Sequence, residues 1–153
     1  MLVADPVALA VLAALGLVAC WFDIRERRLP NWLVLATLAA GLGLAMWRGG
    51  AEALPWHLAH FVTALVVGIG LYALRALGAG DAKYYAALSA WFTLGSALKL
   101  VMAVSFVGLF LTLGWLAWRK LSGKPAPKKP LDDMDKVPFG VAMAAGAVLA
   151  LLY

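Results

Sequence analysis

Apolar stretches about as long as a bilayer is thick recur along almost the whole chain, and they constrain its fold more than any other feature. Hydrophobic residues make up 65% of the 153 residues, and the mean hydropathy is +0.90. A soluble domain has roughly 45–50% apolar residues, so one buried core would not hold this excess. The composition therefore predicts a single polytopic membrane domain over residues 1–153. We interpret as membrane spans the stretches 6–22, 31–47, 56–77, 82–98, 100–118 and 137–153.

The spans are expected to be helical, because only helices and closed barrels satisfy their backbone polar groups in lipid. The strict apolar–polar alternation that marks a barrel strand is absent from the sequence. We therefore expect an all-α membrane protein, a bundle of about six transmembrane helices surrounded by lipid. The stretch 82–98 is the least regular, because it is short and Gly95 and Ser96 interrupt it.

Basic residues are distributed very unevenly between the connections. Of the 13 lysines and arginines, 11 lie in or beside the connections after the first, third and fifth spans, and only Arg48 and Lys99 follow the second and fourth. Cytoplasmic loops carry excess Lys and Arg, so this bias predicts that both termini lie outside. It also predicts a polar cytoplasmic loop at about 121–136. The net charge of +5 is explained in this way without a nucleic-acid partner.

Cysteine and histidine give little indication of a metal site. The single cysteine, Cys20, excludes an internal disulfide and a paired-cysteine zinc site. It ends a segment, 17–20, that resembles a lipoprotein cleavage box, but the first 15 residues lack the basic start of a signal peptide. His57 and His60 could place two ligands on one helix face, which is thin support for a metal. We expect interfacial histidines beside Trp56, and no metal or cofactor.

Two carboxylates stand directly against apolar spans. Asp23 closes the first span and Asp81 opens the fourth, so each lies where the chain passes the predicted cytoplasmic face. Packing of these two spans would bring the carboxyls together. Neighbouring carboxyls tend to share one proton, an arrangement that can hydrolyse a peptide bond without serine, cysteine or metal. The alternative is that Asp81 is only a helix cap and Asp23 only an ion-pair partner of nearby arginines.

The residues that flank the aspartates are expected to support them. Gly78 and Gly80 allow backbone angles closed to other residues and a close approach of a substrate strand. Lys83 could bias the local potential toward an anionic carboxylate. Pro30 with Asn31 turns the chain and begins the second span.

Three segments together resemble the bacterial type IV prepilin peptidases. Residues 23–31, Asp-Ile-Arg-Glu-Arg-Arg-Leu-Pro-Asn, resemble the first aspartate motif of that family, which includes Arg25, and residues 78–83, Gly-Ala-Gly-Asp-Ala-Lys, resemble its Gly-x-Gly-Asp motif. Val-Pro-Phe-Gly at 137–140, with Pro138 and Gly140, is similar to the start of the last span of these enzymes. The resemblance runs in the same order over nearly the whole chain.

The resemblance implies a membrane-embedded aspartic endopeptidase with Asp23 and Asp81 as its catalytic pair. Such an enzyme removes the short basic leader from prepilin or pseudopilin substrates, just before their hydrophobic segment, at the cytoplasmic face of the bacterial inner membrane. The chain looks like the short form found with tight-adherence (Flp) pili. It lacks the paired-cysteine region of the larger members, so we expect cleavage without methylation. Recognition of a basic leader would fall to acidic groups, for which the candidates are Glu26, Asp132, Asp133 and Asp135.

Three other interpretations stay open at this stage. The first is a small ion- or proton-coupled transporter that uses two membrane acids, although no repeat relates the two halves of the sequence. The second is a non-catalytic membrane subunit of a secretion system, in which both aspartates are caps. The third is a calcium site at the acids of 132–135, but the glycine and closing glutamate of the usual loop are missing, which favours a solvated charge cluster.

Overall fold

A computed structural model of the protein describes residues 2, 5–123 and 139–153, and the ordered elements in these ranges are helices. The predicted all-α class is thereby confirmed. Pro138 and the acids of 132–135 lie outside the described residues. The elements are α1 (Pro6–Glu26), α2 (Asn31–Ala73), α3 (Ala79–Ser89), a short 3-10 helix (Leu94–Ser96), α4 (Ala97–Leu121) and α5 (Phe139–Leu152).

Three helical stretches of the described residues are long and apolar enough to cross a membrane. They are α1, α2 and the stretch Leu94–Leu121 that contains α4. This supports a membrane protein. The count of about six spans and the outward placement of the termini remain predictions.

Helix α2 has 43 residues and is broken at Gly50, where φ is 66° and ψ is −172°. Glycine is almost alone in adopting these angles. We call residues 31–49 the first arm of α2 and residues 51–73 the second arm. The sequence predicted two spans, 31–47 and 56–77, with a loop between them. The structure is instead helical on both sides of Gly50. The two predicted spans are therefore connected by a break at one residue and not by a loop.

Helix α1 and the first arm of α2 lie antiparallel. At one end Asp5 caps α1, accepting the Val7 N–H at 2.9 Å, and pairs with Arg48 Nε at 2.7 Å. At the other end the rings of Phe22 and Trp32 meet edge to face, with their centroids 5.9 Å apart. The carboxyl end of α1 therefore lies beside the start of α2.

Helix α3 ends earlier than the sequence predicted. A helix over 82–98 is wrong beyond Ser89, where the chain turns before the 3-10 helix. Eleven residues of helix are about 17 Å long, too short to cross a bilayer core of about 30 Å. The helix after the turn also begins earlier than predicted, at Ala97 and not at residue 100.

The turn that ends α3 is bonded to both arms of α2, and we call these bonds the turn clamp. His57 Nδ1 lies 2.9 Å from the Ala90 carbonyl oxygen. His60 Nδ1 lies 3.1 Å from that of Phe92. The Trp91 indole N–H donates to the Thr37 carbonyl at 3.0 Å. The histidines were expected at the interface, but both are buried, because each one satisfies a carbonyl that the end of α3 leaves open.

Helix α5 packs between α1 and α4 through small residues. A β-carbon on Gly146 would lie 2.6 Å from Val104 Cα, and one on Gly16 would lie 3.4 Å from Ala144 Cβ. Small residues let helix backbones approach closely in membranes. This packing carries the first turn of α5 to the carboxyl end of α1, at the same end of the bundle as the start of α3.

Candidate active site

A cavity of about 690 Å³ opens at the end of the bundle where α1 ends and α3 and α5 begin. It brings together Asp23 and Asp81, which are separated in the sequence by the whole of α2. We call it the aspartate cavity. It is lined by Asp23, Arg27, Arg28, Leu29, Tyr72, Arg75, Ala76, Leu77, Gly78, Gly80, Asp81 and Phe139.

Asp23 lies in the last turns of α1 and is only 7% exposed. Its Oδ2 accepts the Val141 backbone N–H at 3.2 Å, in the first turn of α5. The first N–H groups of a helix have no partner within the helix, and the dipole there favours a negative charge. Gly140 permits this contact, because a β-carbon on it would lie 2.8 Å from Oδ2 of Asp23. The predicted supporting residue Gly140 therefore contacts the aspartate directly.

Asp81 lies in the first turn of α3, which begins after Gly78. Burial, with a smaller contribution from the nearby charge of Asp23, raises the pKa of the Asp81 carboxyl from 3.8 to about 6. Helix α3 is held against the second arm of α2, where a β-carbon on Gly68 would lie 3.2 Å from Ala82 Cβ.

The glycines before Asp81 act differently from the prediction. Gly78 has φ −70° and ψ 147°, which any residue adopts, and Gly80 lies inside the helix. The expected need for unusual backbone angles is therefore wrong. Gly78 instead leaves room for the carboxylate, since a β-carbon there would lie 3.0 Å from Asp81 Oδ2. Both glycines line the aspartate cavity.

Four other predicted supporting residues do not line the cavity. Arg25 stacks on the Trp21 ring, with Cζ 4.2 Å from the centroid. Lys83 is exposed on α3. Pro30 and Asn31 begin α2 as expected, and the Pro30 carbonyl accepts the Leu33 N–H at 3.0 Å.

The sequence reasoning missed several residues of the cavity wall. Arg27, Arg28 and Arg75 give it a basic rim, and Arg27 and Arg75 both have left-handed backbone angles, with φ of 53° and 57°. The sequence indicated Arg27 and Arg28 only as part of the motif at 23–31 and as possible ion-pair partners of Asp23, and Arg75 only as a marker of sidedness. Phe139 was named only within a motif, and the Val141 N–H leaves no trace in a sequence because it is a backbone group.

The arrangement offers a pair of carboxyls with different surroundings. Asp23 accepts a hydrogen bond from the backbone amide of Val141 at the start of α5. Asp81, whose pKa is raised to about 6, retains its proton at a higher pH than an ordinary carboxyl. Such a pair can take a proton from water with one member and donate a proton with the other.

The chain resembles known proteins over the region that carries both aspartates. Residues 10–113 match the type IV leader peptidase family. Prepilin peptidase EppA of Methanococcus maripaludis is 30% identical over 76 residues, which cover 50% of this chain and 20% of that relative. No solved structure shows a significant match.

Proposed function

The chain belongs to the type IV leader peptidase family, and from this membership we propose that it is a membrane-embedded aspartic endopeptidase that removes the basic leader from prepilin-like proteins. The observation that carries the proposal is that Asp23 and Asp81 line one cavity. The prepilin peptidase from Methanococcus maripaludis supports the same substrate class, since it is aligned over half of this chain.

We assign different roles to the two aspartates because their surroundings differ. Asp23 is the ionised partner, since the Val141 N–H and the start of α5 favour its negative charge. Asp81 is the protonated partner, because its burial and the charge on Asp23 raise its pKa to about 6.

The proposed reaction balances with water as the only co-reactant. Asp23 takes a proton from water as the water oxygen attacks the scissile carbonyl carbon, and Asp81 donates its proton to the carbonyl oxygen. When the tetrahedral intermediate collapses, the C–N bond breaks and Asp23 gives the proton to the leaving amine. Asp81 recovers its proton from a hydroxyl of the intermediate. Both carboxyls then stand in their starting states.

The cavity is proposed to face the cytoplasm in the cell membrane. Six spans would place it there if the two arms of α2 each cross the membrane and both termini lie outside. The basic rim of Arg27, Arg28 and Arg75 supports this side, because positive charge accumulates on cytoplasmic faces. A basic leader would have to avoid this rim, and Glu26, exposed at the end of α1, is a described acidic group that could hold it.

The test is a cleavage assay with purified protein, a prepilin-like substrate and the variants Asp23→Asn and Asp81→Asn. Removing one member of a catalytic unit commonly lowers kcat by about 10⁴-fold or more, so each variant should be inactive. Glu52→Gln is the matched control, since it removes an exposed acid of α2 that does not line the cavity.

The same assay separates the proposal from its alternatives. A non-catalytic membrane subunit would leave leader processing unchanged in both aspartate variants. A transporter would show ion flux that depends on the aspartates and no cleavage by the wild-type protein. Either result would remove the protease assignment.

A further inference from the structure

A second, apolar cavity lies beside the aspartate cavity, between the second arm of α2, α3, α4 and α5. Its volume is about 330 Å³, and its walls include Gly68 and Val67 of α2, Tyr85 of α3, Val101 of α4 and Met143 of α5. We call it the apolar groove. No ionisable acid or base is among its lining residues apart from the hydroxyl of Tyr85.

The groove adjoins the aspartate cavity. Leu77 and Phe139 line both, so one cavity begins where the other ends. A chain bound across the two aspartates would enter the groove if it extends past Leu77 and Phe139.

The groove also opens toward the side of the bundle. In the described residues α2 packs closely on α3 and α4 packs on α5, whereas α2 and α4 have at most marginal backbone contact. Val67 and Val101, on the two facing helices, are 55% and 46% exposed. A segment that lies in the membrane could enter between them without crossing a polar surface.

One polar group in the groove has no partner. The Tyr85 hydroxyl is buried and makes no hydrogen bond among the described residues. A buried polar group without a hydrogen-bond partner is unfavourable. The backbone N–H and C=O groups of an extended peptide in an apolar groove also lack partners. A rotation of the Tyr85 side chain would bring this hydroxyl to the groove surface, where a peptide carbonyl would accept its hydrogen bond and both groups would gain a partner.

From this juxtaposition we infer that the apolar groove binds the apolar residues that follow the scissile bond, with the Tyr85 hydroxyl donating to their backbone. The inference rests on the proposed protease function. The basic leader does not fit the groove, because burying its charges among apolar side chains would be costly. The leader must therefore lie on the other side of the aspartates, where water has access.

Two adjacent valines of α2 supply a matched test. Val67 lines the groove, whereas Val66 does not and is 63% exposed. Val67→Trp should fill the groove and raise KM for a substrate with its apolar segment by about fivefold or more, with kcat within about twofold. Val66→Trp should leave both constants unchanged. Tyr85→Phe should raise KM in the same direction as Val67→Trp.

A second substrate distinguishes failure of the groove assignment from failure of the protease assignment. The same leader, truncated and made polar after the scissile bond, should show equal KM with wild type, Val67→Trp and Val66→Trp. If Val67→Trp and Val66→Trp cleave the full substrate with equal KM, the groove assignment is wrong while the protease assignment stands. If wild type shows no cleavage dependent on the aspartates, both are wrong.

A binding readout makes the test independent of turnover. The inactive Asp23→Asn variant would be mixed with substrate that carries photoreactive benzoylphenylalanine at the first position after the scissile bond. Crosslinks mapped by mass spectrometry should fall on Met143, Val101 or Tyr85. Crosslinks only to lipid, or only to the rim at Arg27 and Arg28, would overturn the inference.

Discussion

Gly140 faces Asp23 so closely that a β-carbon on it would lie 2.8 Å from Oδ2 and 2.9 Å from Cγ of the carboxylate. The first turn of α5 therefore contacts the carboxylate through bare backbone, and Val141 donates its N–H to the same oxygen. Any side chain at position 140 must displace either the aspartate or the helix.

Gly140→Ala is expected to lower leader cleavage strongly. A displacement of about 1 Å at a reacting group can cost about 10²-fold in rate, so we expect a loss of that order in kcat. The measurement is steady-state cleavage of a prepilin-like substrate. Gly70→Ala is the matched control, because a β-carbon there meets open space and Gly70 lies outside the cavity wall. Equal activity of the two variants would show that the Gly140 contact is not needed.

The proton on Asp81 predicts a specific pH dependence. Because burial and Asp23 raise its pKa to about 6, the protonated donor is lost as the pH rises through that value. We therefore expect kcat/KM to have a descending limb near pH 6. The measurement is cleavage of a substrate without histidine between pH 5 and 8. A rate that is constant over this range would contradict the assignment of Asp81 as the acid.

Stability should change with pH in the same window. A carboxyl whose pKa is raised by folding stabilises the fold below its unfolded pKa of 3.8, and this contribution is lost as the pH rises through about 6. Asp81→Asn removes the carboxylate that must be buried at high pH. We expect this inactive variant to have a higher Tm than wild type at pH 8, with the difference shrinking toward pH 5. Glu52→Gln, at an exposed position, should keep the wild-type pH dependence.

The sequence could predict that Asp23 and Asp81 lie in one cavity. The order of the spans and the basic connections put each aspartate at the same predicted face of the membrane. Gly140 was likewise found through the Pro-Phe-Gly segment. The sequence did not show why a glycine is needed at position 140. A β-carbon there would lie 2.8 Å from Asp23 Oδ2, and this distance depends on how deeply α5 packs between α1 and α4.

The end of α3 could not be predicted, because nothing local ends a helix at Ser89. The residues 90–92 are apolar and suit a longer span. The helix ends there because His57, His60 and Thr37, all more than 30 positions away, offer bonds to the turn. Long-range hydrogen bonds of this kind override local patterns, which also explains why two polar histidines are buried.

The turn clamp predicts that asparagine can replace His57 better than leucine or glutamine. The neutral ring donates its Nδ1 hydrogen to the Ala90 carbonyl at 2.9 Å. The asparagine amide nitrogen takes nearly the position of Nδ1, whereas that of glutamine takes the position of Nε2. His57→Leu leaves the buried carbonyl without a donor, which should lower the free energy of unfolding by about 1–3 kcal/mol.

Activity should follow the same order, because α3 carries Asp81 at its other end. We expect His57→Asn to retain most cleavage, and His57→Leu and His57→Gln to lose more in kcat than in KM. The measurements are thermal unfolding in detergent and steady-state cleavage. If all three variants match wild type in both, the clamp does not position α3.

The ion pair between Asp5 and Arg48 lies at the other end of α1 from the aspartate cavity, and we expect it to affect stability but not cleavage. Asp5 caps α1 through Oδ1 and pairs with Arg48 Nε at 2.7 Å through Oδ2, well away from the aspartate cavity. Asp5→Asn keeps a capping oxygen and loses only the ion pair, so it should cost less than about 1 kcal/mol. Asp5→Ala also loses the cap and should cost about 1 kcal/mol more.

Both variants should keep wild-type kcat and KM, measured beside Asp23→Asn, because the reaction depends on the two acids of the cavity and not on acidic residues in general. A tenfold loss of kcat in Asp5→Asn, with the protein folded, would show that acids outside the cavity also take part.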